Sequence, residues 1–247
     1  MLDVHPPHES VHTWKGFFIH IATIVIGLII AVGLEQAVEL IHHHRQRHEL
    51  LESLKSDTIT CAEDGRNMTR YSQVSAASIL DRERRIEVAL WSGKQLSSLP
   101  DFIAQPPAVI LTYTHFEAAK ASGLLQLLST EDMDAFSDVY VDVENSLVAE
   151  VDWASCRSAR RAFEAGFFNP ASSHAEFSKA STADLREYLR LLERERIANL
   201  NELERADEAE AAASAVSKGV RGIRNLEQAE YAASRRHLDT SSVSGMN

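Results

Sequence analysis

FFIHIATIVIGLIIAVGLEQ, residues Phe17–Gln36, is the stretch from which the rest of the chain is organised. From Phe17 to Leu34 it runs about 18 residues without a formal charge, roughly 27 Å at about 1.5 Å per helical residue, close to the thickness of a hydrocarbon core. Phe17, Phe18, Val25, Leu28, Val32, Leu34 and the isoleucines between them contribute roughly −0.3 to −0.6 kcal/mol each on an insertion scale, together on the order of −4 to −7 kcal/mol. A soluble core helix of this length would carry polar residues along one whole face, and no such face is present. A cleaved signal peptide is the competing reading, with Ala31-Val32-Gly33 as a small-x-small cleavage site after an apolar run. Against it, the preceding residues are numerous and nearly neutral (Asp3, Glu9, Lys15), and the helical pattern continues through Glu35, Val38 and Ile41. The expectation is one uncleaved transmembrane helix over residues 16–40 that leads into a long helix, with Trp14 and Lys15 as interfacial anchors.

Within the span Thr23, Gly27 and Ala31 recur every fourth residue, which sets small side chains in one stripe where a second helix can approach closely. The stripe is a candidate transmembrane contact between copies of the chain. The alternative is that these small residues face lipid only.

Outside the span, composition narrows the function classes. A charged fraction of 25% with 45% hydrophobic residues suits a folded domain rather than a disordered stalk. The net charge of −11 repels nucleic acid, and no Lys/Arg stripe with interleaved aromatics occurs, so nucleic-acid binding is set aside. The chain has two cysteines, Cys61 and Cys156, with no CxxC and no nearby histidine, which argues against a zinc site. In an oxidising compartment they are a candidate disulfide; otherwise they are two separate buried thiols.

Eight of the eleven histidines lie between His5 and His48. His8 with His12, and His44 with His48, stand at helical i,i+4 spacing, but neither pair has a carboxylate or thiol at ligand spacing, so interfacial packing beside a bilayer is preferred to metal binding or pH sensing. His48-Glu49-Leu50-Leu51-Glu52 lacks the final histidine of HExxH, and Ser92-Gly93-Lys94 lacks the upstream glycine of a phosphate loop. No GxSxG or GxGxxG occurs. The carboxylates Asp138, Asp142, Glu144, Glu150 and Asp152 read as a solvated face. No cofactor, metal or enzymatic activity is implied.

Periodicity predicts an all-α protein. The helix leaving the membrane continues through the His-rich segment to about Thr69 or beyond, and apolar residues then recur through Met68, Tyr71, Val74, Ile79, Ile86 and Leu90, with Trp91-Ser92-Gly93 as a stop. Leu99–Pro107 is a proline-rich loop, with Pro107 in the first turn of a helix through Val109, Tyr113 and Phe116 that ends at Ser122-Gly123. Ser129 and Asp132 open a helix whose seam is Phe136, Tyr140, Val143, Leu147, Val151 and Ala154, ended by Asn169-Pro170. Ser181 and Asp184 open another, with Leu185, Leu189, Leu192, Leu200 and Leu203 inside and Glu187, Arg190, Glu193 and Arg196 alternating outside. A shorter helix covers Asn225 to His237. The expected division is a polar tail over 1–15, the span over 16–40, a helical extramembrane bundle over 41–238 and a disordered tail over 239–247.

Two segments carry a family resemblance. IVIGLIIAVGLEQ, with Gly27, Ala31 and Glu35, and TYTHFEAAKASGLLQLLSTEDMDAFSDVY, Thr112 to Tyr140, resemble a bacterial family of membrane-anchored proteins of unknown function. Its members have an IxxGxxIA span feeding a helical region. Where that family usually has an Asn-Asn-Trp-Asn-like stretch after the span, Gly33-Leu34-Glu35-Gln36-Ala37 stands here. The resemblance implies one N-terminal membrane helix and an exported domain, and it transfers no catalytic residue.

Lys15 before the span against Arg45 and Arg47 after it leans towards a cytoplasmic domain. A short tail before an N-terminal span, which inserts like an uncleaved signal, and the family resemblance lean the other way. The reading adopted is a single-pass protein of the bacterial inner membrane with a periplasmic helical domain. It would act as a structural or interaction module whose partners are the lipid bilayer, a second copy or another envelope protein. The alternative is an extracytoplasmic helical-bundle sensor that signals through a partner.

Overall fold

The computed structural model describes residues 14–96, 99, 111–169 and 174–243. Among these the chain forms five α-helices: α1 (Trp14–Ser92), α2 (Thr114–Ser122), α3 (Thr130–Ala165), α4 (Thr182–Ser217) and α5 (Ile223–Val243). Two short 3-10 turns, Leu124–Leu127 and Phe177–Lys179, and a two-residue antiparallel pair, β1 (Phe168–Asn169) with β2 (His174–Ala175), complete the described elements. The all-α expectation holds. Periodicity does not predict the pairing of β1 with β2: α3 ends at Ala165, short of the Asn169-Pro170 stop, and β1 already begins at Phe168. The loop predicted over Leu99–Pro107, apart from Leu99, lies outside the described residues, as do Pro107, Val109, His8 and His12.

The chain divides into two compact units, one ending at Glu49 and one beginning at Leu50. In the first, every side chain from Phe17 to Ile41 is exposed. This part of α1 is long and apolar enough to cross a membrane. Thr23 turns its hydroxyl back onto the Ile19 carbonyl at 2.9 Å, so its polar group is satisfied within its own helix.

In the second unit, recurring contacts fix the directions of the helices. Tyr71 lies 5.6 Å from Trp153 between ring centroids, and Arg82 donates to Glu164 at 2.9 Å, so α1 and α3 run parallel at a constant offset. Ser72 donates to Glu202 and Arg196 donates to Glu83 at 2.9 Å, so α4 runs antiparallel to α1. Arg221 binds Asp132 at 2.8 Å at the start of α5, which returns along α3 and α4.

The helix ends follow capping chemistry. The Ser181 hydroxyl accepts from the Asp184 N–H at 3.1 Å while the Asp184 carboxylate accepts from the Ser181 N–H at 2.8 Å, a complete capping box. At Ser129 only one half forms: its hydroxyl accepts from the Asp132 N–H at 3.2 Å, while an oxygen of that carboxylate binds Arg221. Gly123 closes α2 at φ 75° and so lets Leu124, Leu125 and Leu128 turn back onto the cluster holding Tyr113 and Phe116.

Two apolar clusters fill the bundle. One gathers Leu54, Cys61, Phe116, Phe136, Val139, Ala206, Ala212 and Leu226; the other gathers Ile79, Ile86, Phe177, Leu185, Tyr188 and Leu192. The buried face of α3 differs from the expected seam. Val139, Ser146, Ala149 and Trp153 are buried, whereas Val151 is 71% exposed and Tyr140, Leu147 and Ala154 are half-buried. A seam read from apolar residues alone skipped Ser146 and slid by one position. Leu200 is likewise exposed, and α5 continues to Val243, into the stretch expected to be a tail.

Candidate functional site

The stripe of Thr23, Gly27 and Ala31 is exposed, and a side chain added at Gly27 would meet open space. Trp14 is exposed and lies against Phe17 and Phe18, at 5.8 and 5.4 Å between centroids, beside the equally exposed Lys15. His42, His43, His44 and His48 are all exposed.

Cys61 and Cys156 are separate thiols, which corrects the disulfide alternative. The constant offset between α1 and α3 sets Cys61 level with Val143. Cys156 therefore lies more than three helical turns, roughly 20 Å, further along, against the ~4.4–6.8 Å between Cα atoms that a disulfide needs. Burial, with neighbouring carboxylates, pushes the Cys61 thiol up to about 12. Cys156 is only partly covered.

Between and beside the two apolar clusters stand polar groups that composition did not announce. Arg82, Arg160 and Glu195 are each at least 94% buried, and with Glu164 and Tyr188 they form one network across α1, α3 and α4. The Glu164 carboxylate accepts from Arg82 at 2.9 Å, from Arg160 at 2.6 Å and from the Tyr188 hydroxyl. Arg160 also reaches Glu195. Two arginines and two glutamates cancel in charge, and the planar rings of Phe163 and Phe177 stack on Tyr188. This is the geometry in which buried ions are tolerated.

A second layer lies one to two turns away. Ser72 donates to Glu202, and Asn199 sits one turn from Glu202; all three are fully buried. The second oxygen of Glu202, both polar atoms of Asn199, the indole N–H of Trp153, the Thr69 hydroxyl and one Arg157 nitrogen have no hydrogen-bond partner among the described residues. Arg157 lies over the Trp153 ring at 4.7 Å. Burial pushes the Glu202 carboxyl up to about 7, against the opposing pull of Ser72 and Arg157. A group titrating there can take or release a proton near neutrality, and the unsatisfied donors and acceptors around it suit water or a small polar molecule.

Asp57 plays a role that sequence spacing concealed. It is buried on α1, yet one oxygen accepts the backbone N–H of His115 at 2.8 Å and of Phe116 at 3.3 Å, while the other meets the His115 ring at 2.6 Å. It thus caps α2, whose own N-cap residue Tyr113 supplies no capping side chain. The acidic face predicted on α3 is split. Glu144 and Asp152 are exposed as expected, but Asp138 and Asp142 are half-buried against α5.

No family model, curated protein or solved structure matches the chain.

Proposed function

We propose that this chain is a membrane-anchored helical module of the bacterial cell envelope, whose folded unit engages another envelope protein or a second copy of itself. The reading is carried by one observation. An apolar helical segment, exposed along its whole length from Phe17 to Ile41, is joined to a unit that already fills its own core. An isolated surface of that kind in water is unfavourable, and lipid is the medium that satisfies it. Val141, Val148 and Val151, all at least half exposed on α3, add an apolar strip on the folded unit for a protein partner. The resemblance of Ile24–Gln36 and Thr112–Tyr140 to bacterial membrane-anchored proteins supports the same reading, with the folded unit periplasmic.

The second reading, an extracytoplasmic sensor acting through a partner, is favoured by the unsatisfied polar layer at Asn199, Glu202 and Trp153, the kind of interior that a small ligand would complete.

Cys156 gives the decisive test of location, because Cys61 is sealed in the core. A membrane-impermeant thiol reagent applied to intact cells should modify Cys156. Modification only after lysis would overturn the periplasmic placement. Crosslinking in membranes then separates self-association from hetero-association, and Gly27→Ile should abolish a dimer that forms through the Thr23, Gly27, Ala31 stripe.

A further inference from the structure

Helix α5 is attached to α4 through a turn in which Gly219 and Gly222 both hold φ 89°, a left-handed backbone that side-chain-bearing residues rarely adopt. Beyond this turn, α5 docks by burying Leu226 and Ala233, and Arg221 anchors its start on Asp132. Arg221 also donates to the carbonyls of Val216 and Val220, so its charge is committed at the turn.

The seam beyond that anchor is acidic from every side. Helix α3 contributes Asp138 and Asp142, α4 contributes Glu208, and α5 contributes Glu227 and Glu230; on α1, the Cys61 thiol feels Asp64, Asp142, Asp57 and Glu210. Arg205 acts on Asp142 as a cation and is bonded to Glu208 at 2.7 Å. Arg224 and Arg235 of α5 are exposed, and Arg235 lies over the Tyr231 ring. One oxygen of Asp142 and one of Glu230 are shut off from solvent with no hydrogen-bond partner among the described residues. Carboxylates so placed repel when all are ionised, and protonation relieves both the repulsion and the desolvation.

We propose that the seam between α5 and the α3–α4 pair is a proton-operated latch, in which α5 stays docked while Asp142 and Glu230 hold protons and swings out on the Gly219–Gly222 turn when both ionise. Burial first, and the neighbouring carboxylates second, push Asp142 and Glu230 each up to about 7 and hold Asp138 above the usual aspartate range. The docked state therefore binds protons more tightly than the undocked one. Docking is fully favoured below the ordinary carboxylate range and is lost as pH rises through about 7. Release uncovers Leu226 and the part of the apolar cluster that it joins, while Arg221 stays over the Phe136 ring at 5.0 Å.

The test uses the full chain in lipid nanodiscs, with Cys156→Ser and spin labels at the exposed positions Asn145→Cys and Gln228→Cys. At about pH 5.5 a single short distance is expected; towards about pH 8.5 the docked fraction should fall about tenfold or more, with a midpoint near 7. Asp142→Asn with Glu230→Gln should keep the short distance across the range. Leu226→Asp, which breaks the apolar contact, should give the long distance at both ends and calibrates the undocked state. An unchanged short distance from about pH 5.5 to about pH 8.5 in the chain with native carboxylates overturns the latch, and so does an unaltered midpoint in the double variant.

Discussion

The two ends of the bundle solve the same packing problem in opposite ways. Around Cys61 the helices come together on small residues: Ala62, Gly65, Ala206, Ala209, Ala212 and Ala213 are all buried. Around Tyr188 they are held apart by rings and by ions, with Phe163, Phe177 and Tyr188 stacked beside Arg82, Arg160, Glu164 and Glu195. Close approach depends on what is missing from the side chains, so its tolerance for added atoms is low. The ionic end depends on pairing, so its tolerance for a lost partner is low. The polar layer of Asn199 and Glu202 marks the change from one regime to the other.

The largest effect should come from breaking the ionic end. Arg160→Met strands Glu195 and one oxygen of Glu164 in the core and should cost about 3–5 kcal/mol in denaturant unfolding of the full chain in detergent. Combining it with Glu195→Leu should recover most of that loss. A single change costing less than about 1 kcal/mol would show the network to be incidental.

The close-packed end is challenged next. A Cβ at Gly65 would stand 2.9 Å from the Glu210 Cβ and 3.3 Å from the Ala206 carbonyl oxygen. Gly65→Val should therefore destabilise by about 2–3 kcal/mol, and Gly65→Ala by less, because its helix propensity offsets about 1 kcal/mol of the strain. If valine were tolerated there, the helices would have to part freely, and the contrast between the two ends would fail.

A third change tests the cap that joins α2 to the close-packed end. Asp57→Ala removes the acceptor for the His115 and Phe116 amides and should cost about 1–2 kcal/mol. Amide exchange should rise in α2 before it rises in α4. Uniform loss of protection would mean that α2 has no separate dependence on this residue.

The smallest effect concerns the layer between the ends. Glu202 holds its proton up to about 7, so the folded state binds it more tightly than the unfolded chain. Its contribution is complete below the ordinary glutamate range and is lost as pH rises through about 7. Glu202→Gln should flatten that part of the stability profile and stabilise the chain above neutrality by about 1 kcal/mol, because Ser72 and Arg157 already offset part of the burial cost. An unchanged slope would remove Glu202 from the pH response.

Much of this architecture is legible in the residues alone, and the reasons are local. An uncharged apolar run, a serine three residues before an aspartate, and a glycine after a helical pattern act through the chain's own backbone, so the apolar helix over Phe17–Leu34, the cap of Ser181 with Asp184, and the stop at Ser122-Gly123 are legible there. The seam of α3 is misread at Val151 because apolar spacing gives no weight to Ser146 and Arg160, both buried. The Glu187–Arg190 pair forms as spacing suggests, at 2.7 Å, but Arg196 leaves Glu193 for Glu83 on another helix.

The sequence by itself therefore determined an all-α chain, an apolar segment of membrane-spanning length, and where the helices capped by Ser129 and Ser181 begin. Those depend on periodicity and on neighbours a few residues apart. Only the tertiary structure decided that Cys61 and Cys156 stay apart, that Asp57 caps a helix more than fifty residues away, and that Asp142 and Glu230 share one seam. Each of these is a distance between segments, and burial changes a charged group's chemistry only once those segments have met.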